Sequence, residues 1–370
     1  MTLRIFHTGD WHLGRMLYGH SLLEDQAHFI EEVLLPDVAA LRPDLVIIAG
    51  DIYDRQIAPV EAIRLFDRTL ERLIDSGTAV AVISGNHDSG DRLALMKGLL
   101  RRMGVYMATD LQDAMDPVTL SANGEKLRLF LLPFFDHAQA RAFFGDESLK
   151  GETACMNRAL AALRPKATPD AVNLLVSHCT VTGARVSDSE APLSIGGVNE
   201  VSPDLFAAFD YVALGHIHRP QRAGAGARYA GTPLKYSVSE ADDKKSYVQL
   251  DIVGGKLRTQ CRAITPLRDL RRITGPFQEI LAQGQETPCR DYVEIHLTDP
   301  HPVLMAAQRL LPFYPKLLAL RNPWAATTAD DQALRPPKDA SDQALFAHFM
   351  ADLCGNPPSQ DDLNLFSELF

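Results

Sequence analysis

Metal-ligand side chains recur in five short motifs of this 370-residue chain. In chain order the motifs are Asp10-x-His12, Gly50-Asp51-x-x-Asp54, Gly85-Asn86-His87-Asp88, His178 and Gly215-His216-x-His218. Carboxylate and amide oxygens combined with imidazole nitrogens suit borderline divalent ions such as Mn²⁺, Fe²⁺ or Zn²⁺. Because these motifs contain no cysteine, they argue against a structural zinc site. The pattern therefore predicts a divalent metal site of another kind.

The motifs supply seven candidate ligands, which is more than one ion needs. A single ion takes about four ligands, and seven fit two ions if one carboxylate, naturally Asp51, bridges them. Each motif alone is weak support, since a lone histidine such as His178 is more often an ordinary core or surface residue. The candidates are Asp10, His12, Asp51, Asn86, His178, His216 and His218.

Each motif directly follows a predicted strand. The strand candidates are short apolar runs, several of them continuously apolar, as expected for strands covered on both faces. They lie at 4–7, 45–49, 79–83, 127–132, 173–176 and 211–214. Helix-length segments between them predict a layered α/β core. Since open α/β sheets place their sites beyond the carboxyl ends of the strands, all five motifs are expected at one sheet edge.

Local signals predict where helices begin and end. Ser21 to Glu24 has the pattern of a capping box, opening a helix that stops before Pro43. A further helix is predicted over 89–103, with Gly104 just past its end.

A change of composition after Pro266 predicts a domain boundary. Residues 1–265 are the predicted catalytic domain, and 266–322, with a basic helix-like start, are a small appended domain. Residues 323–340, rich in Pro, Ala, Thr and Asp, are a predicted linker. Residues 341–370 hold two short predicted helices.

Each of these two helices carries an apolar stripe on one face. The pair is too small to bury its own apolar side chains and is therefore predicted to dock on a partner, although packing on its own domain is the alternative. The residues predicted to bind the partner are Leu345, Phe346, Phe349, Leu353, Leu363 and Phe366.

Charge and cysteine content restrict the partner and the compartment. A net charge of −10 argues weakly against DNA, but carboxylates that bind cations reverse the local sign seen by a substrate. The five cysteines are scattered and form no C-x-x-C pair, and the N-terminus has no signal-type pattern. Both features predict a cytoplasmic location. The chain has no apolar run near the ~20 residues that a bilayer requires.

The five motifs in this order resemble those of the calcineurin-like metallophosphoesterases. Residues 1–265 are more closely similar to the SbcD family of nuclease subunits, bacterial relatives of the double-strand-break repair nuclease. The similarity lies in IFHTGDWHLG at 5–14, GDIYD at 50–54, GNHDS at 85–89, GHIHRP at 215–220, and YAGTPL at 229–234 followed by Ser239 and Glu240. It implies an α-β-β-α sandwich with a small α+β capping domain and a C-terminal helical partner-binding segment.

The resemblance also implies a role for each site residue. One metal would take Asp10, His12, Asp51 and His218, and the second Asp51, Asn86, His178 and His216. His87 would lie beside the scissile phosphate as a catalytic residue, oriented by Asp54. For Asp54, a turn-forming or helix-capping role is the alternative.

The implied activity is that of an Mn²⁺-dependent DNA phosphodiesterase. The family pattern is an ATP-dependent 3′→5′ double-strand exonuclease and single-strand or hairpin endonuclease. It acts with the SMC-like ATPase SbcC in DNA repair, recombination and replication, as a homodimer within a heterotetramer. Arginines that follow the motifs are candidates for DNA contact, although solvated or structural roles are commoner for such residues. They are Arg15, Arg55, Arg92 and Arg219.

Two other functions compete with the nuclease. A small-molecule phosphodiesterase or phosphatase of the same superfamily would use the same metal motifs. A non-catalytic scaffold on the same fold would be expected to have lost ligands, and none of the seven is missing here.

Overall fold

The computed structural model describes residues 2–190, 200–322, 341–354 and 358–369. The chain forms two compact units, Met1–Asp269 and Leu270–Phe370. The predicted linker at 323–340 lies outside the described residues.

Within the described ranges the strands are numbered in chain order. They are β1 (Leu3–Thr8), β2 (Met16–Leu17), β3 (His20–Ser21), β4 (Leu45–Ala49), β5 (Ala79–Ile83), β6 (Val105–Ala108), β7 (Val118–Ala122), β8 (Glu125–Leu132), β9 (Val172–His178), β10 (Tyr211–Gly215), β11 (Gln221–Arg222), β12 (Ala227–Tyr229), β13 (Ser246–Val253), β14 (Lys256–Ala263), β15 (Leu270–Gly275), β16 (Tyr292–Leu297) and β17 (Leu317–Arg321).

The α-helices of the same ranges are numbered likewise. They are α1 (Leu23–His28), α2 (Leu35–Leu41), α3 (Val60–Asp75), α4 (Gly90–Leu93), α5 (Lys97–Arg102), α6 (Leu111–Ala114), α7 (His137–Phe144), α8 (Gly151–Leu163), α9 (Phe277–Glu286), α10 (Ala306–Leu310), α11 (Asp342–Cys354) and α12 (Gln360–Leu369). A π-helical stretch, Phe29–Leu34, joins α1 to α2.

The first unit contains two six-stranded sheets. The first sheet has the order β14-β13-β1-β4-β5-β6, in which β1, β4, β5 and β6 are parallel to one another and β13 pairs antiparallel with both β1 and β14. The second has the order β11-β12-β10-β9-β8-β7, with β12, β10, β9 and β8 parallel and an antiparallel strand at each edge.

Alternation along β4 shows how the layers are built. Leu45, Ile47 and Ala49 pack into the apolar cluster between the two sheets. Val46 and Ile48 point the other way, into the cluster shared with α2 and α3. A third cluster joins the outer face of the second sheet to α7 and α8. Because β4 is covered on both faces, all five of its residues are buried. The expected α-β-β-α sandwich is confirmed.

The beginning of the first helix differs from the prediction. Ser21 belongs to β3, where it pairs with Met16, and the residue before α1 is Leu22, which has no side-chain cap bond. The capping box at 21–24 is therefore wrong, because strand pairing takes Ser21 away from the helix end. The predicted stop is close to the observed one, since α2 ends at Leu41 and Arg42 adopts a left-handed φ of 45°.

Two further helix predictions also fail. The helix predicted over 89–103 is interrupted at Met96, whose φ of 60° cannot be part of a right-handed helix. Two shorter helices, α4 and α5, replace it. The basic segment after 266 is not a helix start, since β15 begins at Leu270 and pairs along its length with β16.

The second unit is built around the parallel sheet β15-β16-β17. Val293 and Ile295 of β16 pack with Phe277 and Ile280 of α9 and Leu310 of α10. This is the α+β composition expected of the appended domain.

The two C-terminal helices form where the sequence predicts them. Phe346 of α11 stacks on Phe366 of α12 with ring centroids 4.3 Å apart. Leu345 is 41% exposed, and Leu363 is half-buried. The side chains of Phe349 and Leu353 lie outside the described residues. Among the helices of the described ranges, none combines the length and the apolar character that crossing a membrane requires.

Candidate metal centre and active site

The five motifs meet at the carboxyl ends of β1, β4, β5, β9 and β10. Parallel pairing in register explains this, because His7 of β1 lies beside Ile47 of β4, and His178 of β9 beside Gly215 of β10. Loops that leave aligned strand ends must begin side by side. The sequence therefore needs only the correct strand ends to bring the predicted ligands together.

One group of ligand atoms surrounds Asn86. Its Oδ1 lies 3.0 Å from Nε2 of His178 and 3.1 Å from Nδ1 of His216. Oδ2 of Asp51 lies 3.4 Å from the same His178 Nε2. Within the described residues, ligand atoms of Asp51, His178 and His216 lie within 4.8 Å of one another, close enough to hold one ion.

A second group of ligand atoms also lies near Asp51. Nε2 of His12 is 3.1 Å from Nε2 of His218 and 3.6 Å from Oδ2 of Asp51. Ligand atoms of His12, Asp54 and His87 also lie within 4.8 Å of one another. Asp51 is thus in reach of both histidine groups, which is the position that a bridging carboxylate requires.

Asp10 lies beside the group that contains His178 and His216. Its Oδ1 accepts a hydrogen bond from the backbone N–H of His216 at 2.8 Å and lies 3.7 Å from Nδ1 of His178. Its Oδ2 is buried without a hydrogen-bond partner among the described residues, as is Nδ1 of His12. Burial, with Asp51 as a further cause, raises the pKa of Asp10 well above its usual value. A buried carboxylate oxygen that lies near histidines and has no donor fits a site for divalent cations.

The backbone at the site is strained. The φ angles of Asp10, His12, Asp51 and His216 are 51°, 45°, 46° and 98°, all in the left-handed region that non-glycine residues avoid. Each such residue costs of order 1–3 kcal/mol, and such residues cluster at functional sites. Four of the seven predicted ligands have such a strained backbone. This indicates that placing their side chains at the site outweighs the cost in backbone conformation.

Two glycines allow the strand ends to approach one another. A Cβ on Gly215 would lie 1.7 Å from the carbonyl oxygen of Ala49, and one on Gly85 would lie 2.2 Å from Oδ1 of Asp51. Any larger residue would push the ligand loops apart. Both positions therefore require glycine for close packing.

His178 is oriented by the main chain. Its Nδ1 lies 3.0 Å from the carbonyl oxygen of Ala49, and since a carbonyl only accepts, Nδ1 carries the proton of this bond. Nε2 is thereby directed at Asn86 and Asp51. Although burial lowers the pKa of His178, the Asp51 and Asp10 carboxylates raise it overall to about 9.

His87 lies beside the ligand groups and is half-buried. Its backbone N–H donates to Oδ1 of Asp51 at 2.9 Å, and its Nδ1 lies 2.8 Å from the backbone carbonyl oxygen of Asp54. The Asp54 carboxylate instead pairs with Arg15, Oδ1 to Nη1, at 2.9 Å. The expected contact between Asp54 and His87 exists, but the main-chain oxygen makes it and the carboxylate does not.

The four candidate arginines fall into two classes. Arg15 is held by Asp54, and Arg219 pairs with Asp243 at 2.9 Å. Arg55 and Arg92 are exposed, and within the described ranges their side chains form no ion pair.

Comparison with known proteins places the chain in a family. Residues 3–220 match the calcineurin-like phosphoesterase family, and residues 266–352 match the Type 5 capsule protein repressor C-terminal domain, SbcD_C. The chain is 34% identical over 324 residues to the D subunit of nuclease SbcCD from Staphylococcus epidermidis, covering 86% of this chain and 85% of that protein. The chain belongs to the SbcD family of calcineurin-like phosphoesterases.

A second relative agrees with this assignment. The D subunit of nuclease SbcCD from Staphylococcus saprophyticus is 34% identical over 323 residues, again covering 86% of this chain and 85% of the relative. A solved structure of Vps29 from Entamoeba histolytica is 13% identical with a TM-score of 0.27, covering 71% of this chain and 99% of that one. Family membership makes this SbcD protein a metal-dependent phosphodiesterase with a nuclease role.

Sequence reasoning missed two groups that brace the site of this SbcD protein. The carboxylate of Asp88 is buried and accepts backbone N–H groups from Ile52 at 3.1 Å, Tyr53 at 3.0 Å and Gly85 at 2.9 Å. It ties the loop after β4 to the loop after β5. Burial, followed by the charge of Asp51, raises the pKa of Asp88 to about 7. Its place directly after His87 in the motif was the available signal.

The second group lies behind His218. Nζ of Lys245 lies 2.5 Å from Oε2 of Glu240 and donates to Oγ1 of Thr232 and the carbonyl oxygen of His218, both at 2.8 Å. Both charged residues are buried. Burial by itself raises the pKa of Glu240, but Lys245 outweighs it and keeps the pKa well below the usual range. The segment from 229 to 240, which carried part of the family resemblance, supplies Thr232 and Glu240.

Proposed function

We propose that this protein is an Mn²⁺-dependent DNA nuclease that hydrolyses phosphodiester bonds at a two-ion centre. The observation that supports it most is the position of Asp51, within 3.4 Å of His178 and 3.6 Å of His12. A single carboxylate between two imidazole groups is what a bridged ion pair needs. A pair of divalent ions supplies an activated water and stabilises both the attacking and the leaving oxygen.

Each predicted ligand has its place in this proposal. Asp10, His12, Asp51 and His218 would hold one ion, and Asp51, Asn86, His178 and His216 the other. His87 would be a catalytic residue. With Nδ1 engaged by the Asp54 carbonyl oxygen, its Nε2 is available to stabilise the phosphate or to protonate the leaving oxygen.

The finer activity that we propose is the one implied by the family resemblance. We infer an ATP-dependent double-strand exonuclease of 3′→5′ polarity and a single-strand or hairpin endonuclease, acting with SbcC in cytoplasmic DNA repair and recombination. Both staphylococcal relatives are named as one subunit of the SbcCD nuclease, which supports a complex of this kind. The exposed Arg55 and Arg92 would contact DNA phosphates. Arg15 and Arg219 would also contribute to DNA binding, while remaining paired with Asp54 and Asp243.

Digestion of end-labelled hairpin and duplex DNA tests the activity. We expect Mn²⁺-dependent cleavage that increases with SbcC and ATP, with label positions that give the polarity. His87→Asn should lower the rate ~10²–10⁴-fold while calorimetry still finds two bound Mn²⁺ ions. Cleavage of a model aryl phosphodiester but not of DNA, even with SbcC, would instead identify a small-molecule phosphodiesterase. If the wild-type protein bound no metal, the result would favour the alternative that it is a non-catalytic scaffold.

The C-terminal helices are the proposed docking element for SbcC. Stacking of Phe346 on Phe366 holds α11 and α12 together as one unit, and Leu345 remains exposed on it. In a pull-down, deletion of residues 341–370 should abolish binding to SbcC. Deletion of 360–370 alone should leave weak binding. Undiminished binding of the larger deletion would contradict this part of the proposal.

The proposed homodimer has a candidate surface on the helix layer of the first sheet. Apolar side chains of α5 and of the residues that flank it are exposed by 56–73%. They are Leu95, Met96, Leu99 and Met103. A second copy of the chain is the occupant that we propose for this face.

A further inference from the structure

His218 is held from behind by a chain of hydrogen bonds. Its Nδ1 lies 2.6 Å from Oγ of Ser189, and Ser189 in turn hydrogen-bonds to Oε1 of Glu240. Oε2 of Glu240 lies 2.5 Å from Nζ of Lys245. These hydrogen bonds connect the imidazole, through one hydroxyl, to a buried carboxylate whose charge is balanced by the ammonium group of Lys245.

The direction of the protons in this chain follows from its ends. The lysine ammonium only donates, and an ionised carboxylate only accepts. Ser189 has one hydroxyl proton, which it gives to Glu240, so its oxygen accepts from His218. Nδ1 of His218 therefore carries a proton. Its Nε2, which lies 3.1 Å from Nε2 of His12, is left with a lone pair directed into the site.

We propose that Ser189 and Glu240 are positioning residues that fix His218 as the Nδ1–H tautomer, with Nε2 presented to a divalent cation. The inference rests on the proposed function, because it assigns His218 the role of a ligand. Partners of this kind on the far nitrogen of a ligating histidine set its tautomer and basicity, and their loss costs 10–100-fold in metal affinity.

The same segment offers a matched control. Oγ of Ser187 lies 3.2 Å from Oε1 of Glu240 and 2.8 Å from Oγ of Ser189, and both are acceptors for its single hydroxyl proton. The structure gives it no bond to His218 among the described residues. A merely structural role of the segment would make Ser187→Ala and Ser189→Ala equivalent, whereas the positioning role makes only Ser189→Ala harmful to His218.

The first measurement needs no metal. Long-range ¹H–¹⁵N spectra of histidine-labelled, metal-free protein report which ring nitrogen carries the proton, and His218→Gln assigns the signal. We expect the Nδ1–H tautomer in the wild-type protein and in Ser187→Ala, and a mixture in Ser189→Ala. An Nε2–H tautomer in the wild-type protein would overturn the proposal.

The second measurement is Mn²⁺ titration by calorimetry. We expect Ser189→Ala to weaken one of two sites ~10-fold or more, Ser187→Ala to leave both unchanged, and Ser189→Thr to restore most of the affinity through its hydroxyl. Equal affinities in the two alanine variants would refute the positioning role while the two-ion centre stands. If the wild-type protein binds no Mn²⁺, the proposed function fails, and the tautomer measurement still decides the orientation of His218.

Discussion

Nδ1 of His87 lies 2.8 Å from the backbone carbonyl oxygen of Asp54. The acceptor belongs to the main chain, so the orientation of His87 depends on the path of the loop after β4 and not on the side chain at position 54. The carboxylate of Asp54 faces Arg15 instead, at 2.9 Å.

Replacement of Asp54 by Ala should therefore be mild compared with loss of His87. The carbonyl oxygen remains in Asp54→Ala, and we expect the rate in Mn²⁺ to fall by about tenfold, through the freed Arg15, as for outer partners of a metal site. Steady-state rates of Asp54→Ala and His87→Asn on the same DNA make the comparison. Equal losses would show that the carboxylate orients the histidine after all.

Gly85 should not tolerate even alanine. Its Cβ would lie 2.2 Å from Oδ1 of Asp51, so Gly85→Ala must move the proposed bridging carboxylate. We expect Mn²⁺ affinity to fall at least ~10-fold. Gly98→Ala is the control, because nothing lies within 4 Å of its Cβ and alanine favours the helix. Unchanged calorimetric affinity in Gly85→Ala would show that Asp51 does not bridge.

Glu152 should make stability depend on pH. Burial raises the pKa of its carboxyl from 4.5 to about 7. Between these values the folded state holds a proton that the unfolded chain has released, so this group destabilises the fold progressively as pH rises from about 4.5 to 7 and fully above it. Glu152→Gln removes the cost, which is at most about 3 kcal/mol.

Thermal unfolding in EDTA at pH 5 and pH 8 checks this prediction. The gain in Tm of Glu152→Gln over the wild-type protein should be larger at pH 8 than at pH 5. The exposed Glu147→Gln should show no such difference. An equal gain at both values would mean that Glu152 is not ionising in a buried environment.

Leu99 should be necessary for the proposed dimer. The side chain is 57% exposed on α5, and Leu99→Glu would place a charge in the apolar face between two copies. The molar mass measured by light scattering should be twice 40.7 kDa for the wild-type dimer and 40.7 kDa for the Leu99→Glu monomer. Leu304→Glu, an 81% exposed leucine of the other unit, should remain dimeric. A monomeric wild-type protein would exclude the dimer.

The sequence predicted half of the strands in the two six-stranded sheets, namely β1, β4, β5, β8, β9 and β10. β4 and β5 match their predicted ranges in full, because a strand covered on both faces is one continuous apolar run. Helix ends were harder. Ser21 has the residue type of a cap, but its pairing with Met16 is a contact that local pattern does not contain. The left-handed turn at Met96, an exposed methionine, had no local signal.

The set of polar residues at the strand ends could be identified from sequence, because residue type and strand position are local properties and aligned parallel strands do the rest. Which atoms meet there could not. Sequence does not show whether His87 contacts the carboxylate or the carbonyl oxygen of Asp54. It also does not show that Glu240 and Lys245 lie close to His218. Both arrangements depend on how loops far apart in the chain pack together. Ångström-scale packing of that kind is decided by the sum of many weak contacts, and only the tertiary structure fixes it.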